Sequence, residues 1–194
     1  MNKKAENAAK TCQALERAAR ELFEQRGFAD VSAEEIVALA GVTRGALYHH
    51  YAGKEGLFEV VAQAAMQRLH ESVALAAGAA GADALAGIRL GIARFLELAT
   101  APRLQRVLFV DAPTVLGWKR WRELDARYGL GLLLTGLAQA QASRQIRKQD
   151  TRLLAHIVLS ALIEAAMLVA QAPVKAAARA EAEDMLLRML DGLA

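Results

Sequence analysis

The chain has 194 residues, with 24 Lys and Arg against 21 Asp and Glu, and 55% of it is apolar. A net charge of +3 is too small for a protein that coats nucleic acid through a basic arm, and the single Cys12 excludes an internal disulfide and fits a reducing cytoplasm. Abundant alanine and leucine with only three prolines predict an all-α fold with a large core. The opening Met-Asn-Lys-Lys-Ala-Glu-Asn has no apolar run behind it and does not read as a signal peptide. The first predicted helix covers Asn7–Arg26, with Leu15, Ala19, Leu22 and Phe23 on one face and Gly27 as its stop.

Two short helices follow. Ser32 can cap the first, and Glu35 can reach back to the Ser32 amide and complete a capping box. Ile36, Leu39 and Ala40 supply its apolar face, and Gly41 stands where a helix ends in the left-handed conformation. Thr43 can cap the second helix, whose free amides suit an anion such as a DNA phosphate. Ala46 and Leu47 can turn inward while Arg44, Gly45, Tyr48 and His49 turn out. Gly45 weakens a helix by about 1 kcal/mol relative to alanine, and close approach of another molecule would account for it. This is the build of a helix-turn-helix, whose second helix enters the major groove.

The segment resembles the DNA-binding part of the TetR/AcrR (tetracycline-repressor-like) family of bacterial transcriptional regulators. The matching residues are Gly27-Phe28, Val31-Ser32, Ile36, Ala40 to Thr43, Gly45, Leu47-Tyr48, His50-Tyr51, Lys54-Glu55 and Leu57. Val37, Tyr51 and Gly53 depart mildly from the family pattern, and none removes a group expected to face DNA. The resemblance implies that Thr43 and Tyr48 contact phosphate or base edges, with His49 beside them. It places Lys54 on phosphate. Arg44 suits guanine or phosphate, since its planar fork fits either. Tyr51 and His50 are expected to pack the small core instead. Residues 1–54 hold eight basic and seven acidic residues, but 43–54 carry Arg44 and Lys54 with no acid. Focused charge in neutral surroundings suits a site reader.

A long helix is expected from Lys54 to about Ala76, with Leu57, Phe58, Val61, Met66 and Leu69 buried, and a glycine-rich bend over Ala76–Ala82. The predicted organisation is therefore a helix-turn-helix domain over 7–54, a connecting helix and bend over 55–82, and a helical bundle over 83–194. In the bundle, Ala84–Leu98 should turn Ile88, Ile92, Phe95 and Leu96 inward. Pro102 should begin a helix carrying Val107, Leu108 and Phe109, and Pro113 should break it. A longer helix should run from Trp118 toward Ser143. The run from Phe109 to Glu123 also resembles part of some TetR-like C-terminal domains.

Leu153–Gln171 is apolar nearly all round and must be covered on several sides. His156, Ser160 and Glu164 line one side of it and argue against a membrane span. Those three residues could meet ligand, a dimer partner or water. Pro173 should start a last helix with Ala178, Ala182, Met185, Leu186, Met189 and Leu193 in one stripe. The resemblance implies that the last two helices form a homodimer interface, which would place two reading heads on a palindromic double-stranded operator. It also implies a small-molecule effector, apolar or aromatic, held among the middle helices, with Phe95, Phe109, Trp118, Trp121, Tyr128 and Met167 as possible lining. The usual mode of such proteins is repression, released by effector in the cytoplasm.

No phosphate loop, nucleophile elbow or HExxH motif suggests an enzyme, and no cofactor is implied. His49 and His50 lie on different helix faces, and no cysteine pair offers a metal site. The competing class is a DNA-organising helix-turn-helix protein without an effector. The large apolar bundle argues for sensing instead.

Overall fold

The computed structural model describes residues 3–193, and all regular structure in that range is helical. The head consists of α1 (Lys3–Arg26), α2 (Ala33–Ala40) and α3 (Arg44–Tyr51), with α4 (Lys54–Gly78) leading out of it. The bundle holds α5 (Ala84–Ala99), α6 (Pro102–Gln105), a π-helical stretch (Arg106–Asp111), α7 (Ala112–Leu116), α8 (Trp118–Ala142), α9 (Thr151–Gln171) and α10 (Lys175–Asp191). Because α6, the π stretch and α7 run on without interruption, nine continuous helices make up the described residues.

The expected capping box is present. Ser32 Oγ accepts from the Glu35 amide, and Glu35 Oε2 accepts from the Ser32 amide at 2.8 Å. Hydrogen bonds from Arg26 and then from the Ser32 amide and hydroxyl lower the Glu35 carboxyl from 4.5 to about 2. A depressed carboxyl stabilises the fold above its unfolded value and loses that contribution as pH falls through the folded one. Acid titration followed by circular dichroism should therefore show Glu35→Gln less stable than the native chain above pH 4.5, the difference vanishing toward pH 2. Gly41 closes α2 at φ 67°, a left-handed backbone that glycine adopts most cheaply.

Apolar spacing then sets the head's core. Leu15, Phe23, Ile36, Leu47, Leu57 and Phe58 are fully buried. Phe58 meets Phe23 and Phe28 edge-on, with ring centres 5.2 and 5.0 Å apart. Tyr51 donates to Glu16 at 2.7 Å, which braces α3 against α1 and suits the packing role expected of it. Leu39 differs from expectation: it is 51% exposed, because an eight-residue helix covered by α1 and α3 has room for one inward row, led by Ile36.

Pro113 does not break the chain's sixth helix. It stands two residues after the π-wound stretch within one uninterrupted helix, and the rod ends instead at Gly117, φ 78°. The preceding turn is wound wider than an α-helix, a form that is rare and concentrated at functional sites. The bend after α4 also falls later than expected, since α4 reaches Gly78, and the last helix begins at Lys175, two residues past Pro173.

The bundle core joins α4, α5, α8 and α9, with Trp121, Leu124, Leu96 and Leu108 fully enclosed. In contrast, α9 is long and apolar enough to cross a membrane, yet it packs against α5, α8 and α10. Only 39% of its most apolar window is buried within the chain. The uncovered part includes Leu153, Ile157 and Leu168, and α10 adds Met185 and Met189 beside it.

Candidate nucleic-acid interface and effector cavity

Backbone geometry aims the second short helix outward. Thr43 is extended, and its Oγ1 accepts from the Ala46 amide at 3.3 Å, which fixes the first turn of α3. Leu47 anchors the opposite face in the core. Thr43, Arg44, Gly45, Tyr48 and His49 are thereby brought together on one exposed surface. Nothing but the Thr43 hydroxyl lies near the bare side of Gly45, so a groove can approach its backbone.

Arg44 does not float free. Its Nη1 bonds Glu34 Oε1 at 2.6 Å, its Nη2 donates to Tyr48 Oη at 3.3 Å, and the guanidinium lies over the tyrosine ring. The hydrogen bond to Tyr48 and the Glu34 charge raise its already high basicity, so it is charged at any working pH. Lys54 is placed differently from these five. Half-buried, it donates to the carbonyls of Phe28 (3.0 Å) and Val31 (2.8 Å) and sits 3.9 Å from the Phe28 ring centre. An ammonium has three donors, so the two carbonyls leave one of them unengaged. The pairing of Lys54 with the turn before α2 is invisible in sequence, because the residues are more than twenty positions apart.

The second feature is a cavity of about 260 Å³ between α4, α5, α8 and α9. Val73, Ile88, Ile92, Phe95, Leu133 and Leu162 form much of its wall. Exposed Asp83, Thr135 and Gln139 mark its open side, and buried His70 its inner side. Of the six side chains considered as lining, Phe95 is there. Phe109 stands behind Phe95, edge-on at 6.1 Å, and Trp121 lies behind Phe109. Tyr128 stacks at 6.4 Å on His70 and accepts from Gln63, Trp118 is 55% exposed, and Met167 packs half-buried on α9. Sequence reasoning passed over His70 and the glycines that open the space, Gly87, Gly91 and Gly129. The available signal was glycine inside otherwise strong helices, each weakening its helix by about 1 kcal/mol.

Ser160 and Glu164 are exposed on the outer face of α9, away from the cavity, with Ser160 taking a hydrogen bond from Arg122 at 3.2 Å. Glu164 lies among Leu168, Met185 and Met189 in the apolar trough shared by α9 and α10. Cavity and head are tied together by the π stretch. Asp111 accepts from the Phe28 amide at 2.9 Å, and Arg106 donates to the Gln25 carbonyl at 2.6 Å. Burial pushes the Asp111 carboxyl upward, partly offset by the Phe28 amide and by Arg106.

Comparison with known proteins agrees with both features. Residues 16–61 match the bacterial regulatory proteins of the tetR family, and residues 85–193 match the tetracyclin repressor-like C-terminal domain, more than half of the chain. The chain belongs to the TetR family of bacterial transcriptional regulators. It is 25% identical over 158 residues to the transposon Tn10 TetC protein of Escherichia coli, covering 81% of this chain and 79% of TetC. A TetR-family transcriptional regulator from Pectobacterium atrosepticum is 29% identical and superposes with a TM-score of 0.86, covering 100% of this chain and 97% of that one. RolR, solved in complex with resorcinol, shares the fold at 17% identity and a TM-score of 0.75, covering 95% of this chain and 89% of RolR. As in other TetR-family regulators, the helix-turn-helix of this chain is its DNA-binding element.

Proposed function

We propose that this TetR-family regulator is a cytoplasmic repressor that binds a palindromic operator as a homodimer and leaves it when a small apolar or aromatic effector fills the cavity. The head over 7–54 would read DNA through Thr43, Arg44, Gly45, Tyr48 and His49, with Lys54 at the phosphate. The segment 55–82 would connect it to the effector-binding and dimerisation part over 83–194. The observation that carries this reading is the presence, in one chain, of an exposed helix built to read a groove and a largely apolar cavity open on one side, joined by α4. RolR with its bound resorcinol, an aromatic diol, supports an aromatic effector.

Dimerisation through α9 and α10 is supported by the apolar residues those helices leave uncovered. The effector must bind the DNA-incompetent arrangement more tightly, since only differential affinity shifts an equilibrium. The test is fluorescence anisotropy with the chain's own upstream DNA and a scrambled duplex at one fixed, near-physiological salt concentration. The native protein should prefer the upstream DNA by about 10³-fold or more. Tyr48→Ala should lower specific binding by about tenfold or more while leaving the weak binding to scrambled DNA nearly intact. Equal binding to both duplexes, with a steep salt dependence, would favour a DNA-organising protein instead.

A further inference from the structure

Resting on the reading of the cavity as the effector site, we propose that His70 and Asp125 are its polar anchor, and that the effector carries a hydroxyl donor on an apolar body. His70 is 6% exposed and Asp125 is fully buried. His70 Nε2 stands 3.7 Å from Asp125 Oδ1, near enough for attraction but too far for a hydrogen bond. Neither that nitrogen nor either Asp125 oxygen has a hydrogen-bond partner. Arg122 approaches Oδ2 only to 3.9 Å. Buried polar groups are nearly always satisfied, so an unsatisfied pair kept at the cavity wall calls for a role other than stability. The pair does not explain itself as a fold stabiliser. A charge buried without good hydrogen bonds is usually improved upon by an apolar residue of the same size.

The surroundings specify where the imidazole sits. A Cβ at Gly129 would fall 2.8 Å from His70 Cε1 and 3.2 Å from Leu159 Cδ1, so α8 carries a glycine where the ring needs the room. Phe95 and Tyr128 flank the ring, each with its centre 6.4 Å away. The other polar groups at the cavity are engaged or open to water. Asp83 caps α5 through the Ala86 amide and holds Gln145, and Thr135 and Gln139 are exposed.

Roles follow from position. His70 lines the cavity and would touch the effector, whereas Asp125 lies behind it and acts as a positioning residue. At 3.7 Å it is the attraction of the carboxylate, rather than a formed hydrogen bond, that favours the proton on Nε2, which leaves Nδ1 as the acceptor. An acceptor in an apolar wall selects a donor, and a hydroxyl supplies one without burying a charge. An anionic effector would be opposed by the carboxylate behind the ring. An ammonium would need direct access to Asp125, which the wall does not give.

Isothermal titration of the full-length protein with matched probes tests the assignment. The pairs are 2-naphthol with naphthalene and 4-ethylphenol with ethylbenzene. The native protein should bind each hydroxylated probe about tenfold or more tightly than its parent. In His70→Leu the ratio should fall to near one, whatever the change in the binding of naphthalene and ethylbenzene themselves. Asp125→Asn should reduce the ratio without abolishing binding, whereas a merely structural role would weaken both members of each pair alike. Native protein that binds both members of each pair equally would overturn the anchor and leave the cavity reading standing. Native protein that binds none of the four would overturn both. The comparison of probes on native protein needs no variant, so it stands even where a substitution fails to fold.

Discussion

Replacing Leu168 and Met185 together with glutamate is expected to yield a folded monomer that no longer holds operator DNA. Both side chains are more than half exposed on the trough between α9 and α10, so neither supports the chain's own core. Each chain would bring two new carboxylates into the proposed two-fold interface, beside Glu164 in the same trough. Burying an unpaired carboxylate costs several kcal/mol even after relaxation, and symmetry doubles the number. Operator affinity should fall by about a hundredfold or more, because one head then binds without its partner. Sedimentation velocity and anisotropy on the same preparations check the two halves of the expectation. A double variant that remains dimeric would place the interface on another surface.

The second large effect is expected at the joint between cavity and head. Asp111 and Arg106 grip the backbone at the end of α1 and just beyond it, through Phe28 N and Gln25 O. Between them on the same turn, Phe109 abuts Phe95 in the cavity wall. An effector that displaces Phe95 would therefore push a turn whose two ends hold the reading head. In the native protein a saturating effector should weaken operator binding by about 5- to 150-fold, the usual span of such coupling. In Asp111→Ala with Arg106→Ala that factor should shrink to about twofold, while effector and operator each still bind on their own. Loss of the acceptor for the Phe28 amide should also lower stability by about 1–3 kcal/mol. The check is operator titration with and without effector, with a thermal melt to read the stability change. Undiminished coupling in the double variant would assign transmission to α4 alone.

Much of this architecture was legible because it rests on local chemistry. The Ser32–Glu35 box, the Gly41 stop and the Thr43 cap each act within a few residues, so their spacing alone locates α2 and α3. The inward row of α5 followed from helical period in the same way, with Ile88, Ile92, Phe95 and Leu96 all buried. What spacing does not carry is which neighbour a side chain meets across the fold. Phe109 and Trp121 stood among the possible cavity lining, yet both serve as core behind Phe95. His70 and Asp125 are 55 positions apart in the chain, and only the approach of α8 to α4 puts them opposite each other. Lys54 likewise met carbonyls from a distant turn. Pro113 misled for a different reason: the rule for proline assumes an α-helical turn before it, and here that turn is π-wound.

The π-wound stretch between Gln105 and Ala112 would give the proposed response to effector two states. Its hydrogen bonds skip one more residue than those of the α segments on either side. Rewinding it as α would shift the register by one residue, about 100° of rotation, and no smaller step restores a complete set of bonds. Asp111 and Arg106 are at opposite ends of that stretch, so a slip of one register step turns one grip against the other. The head would then see two positions rather than a continuum. A graded filling of the cavity across a population of molecules would be reported, molecule by molecule, as yes or no.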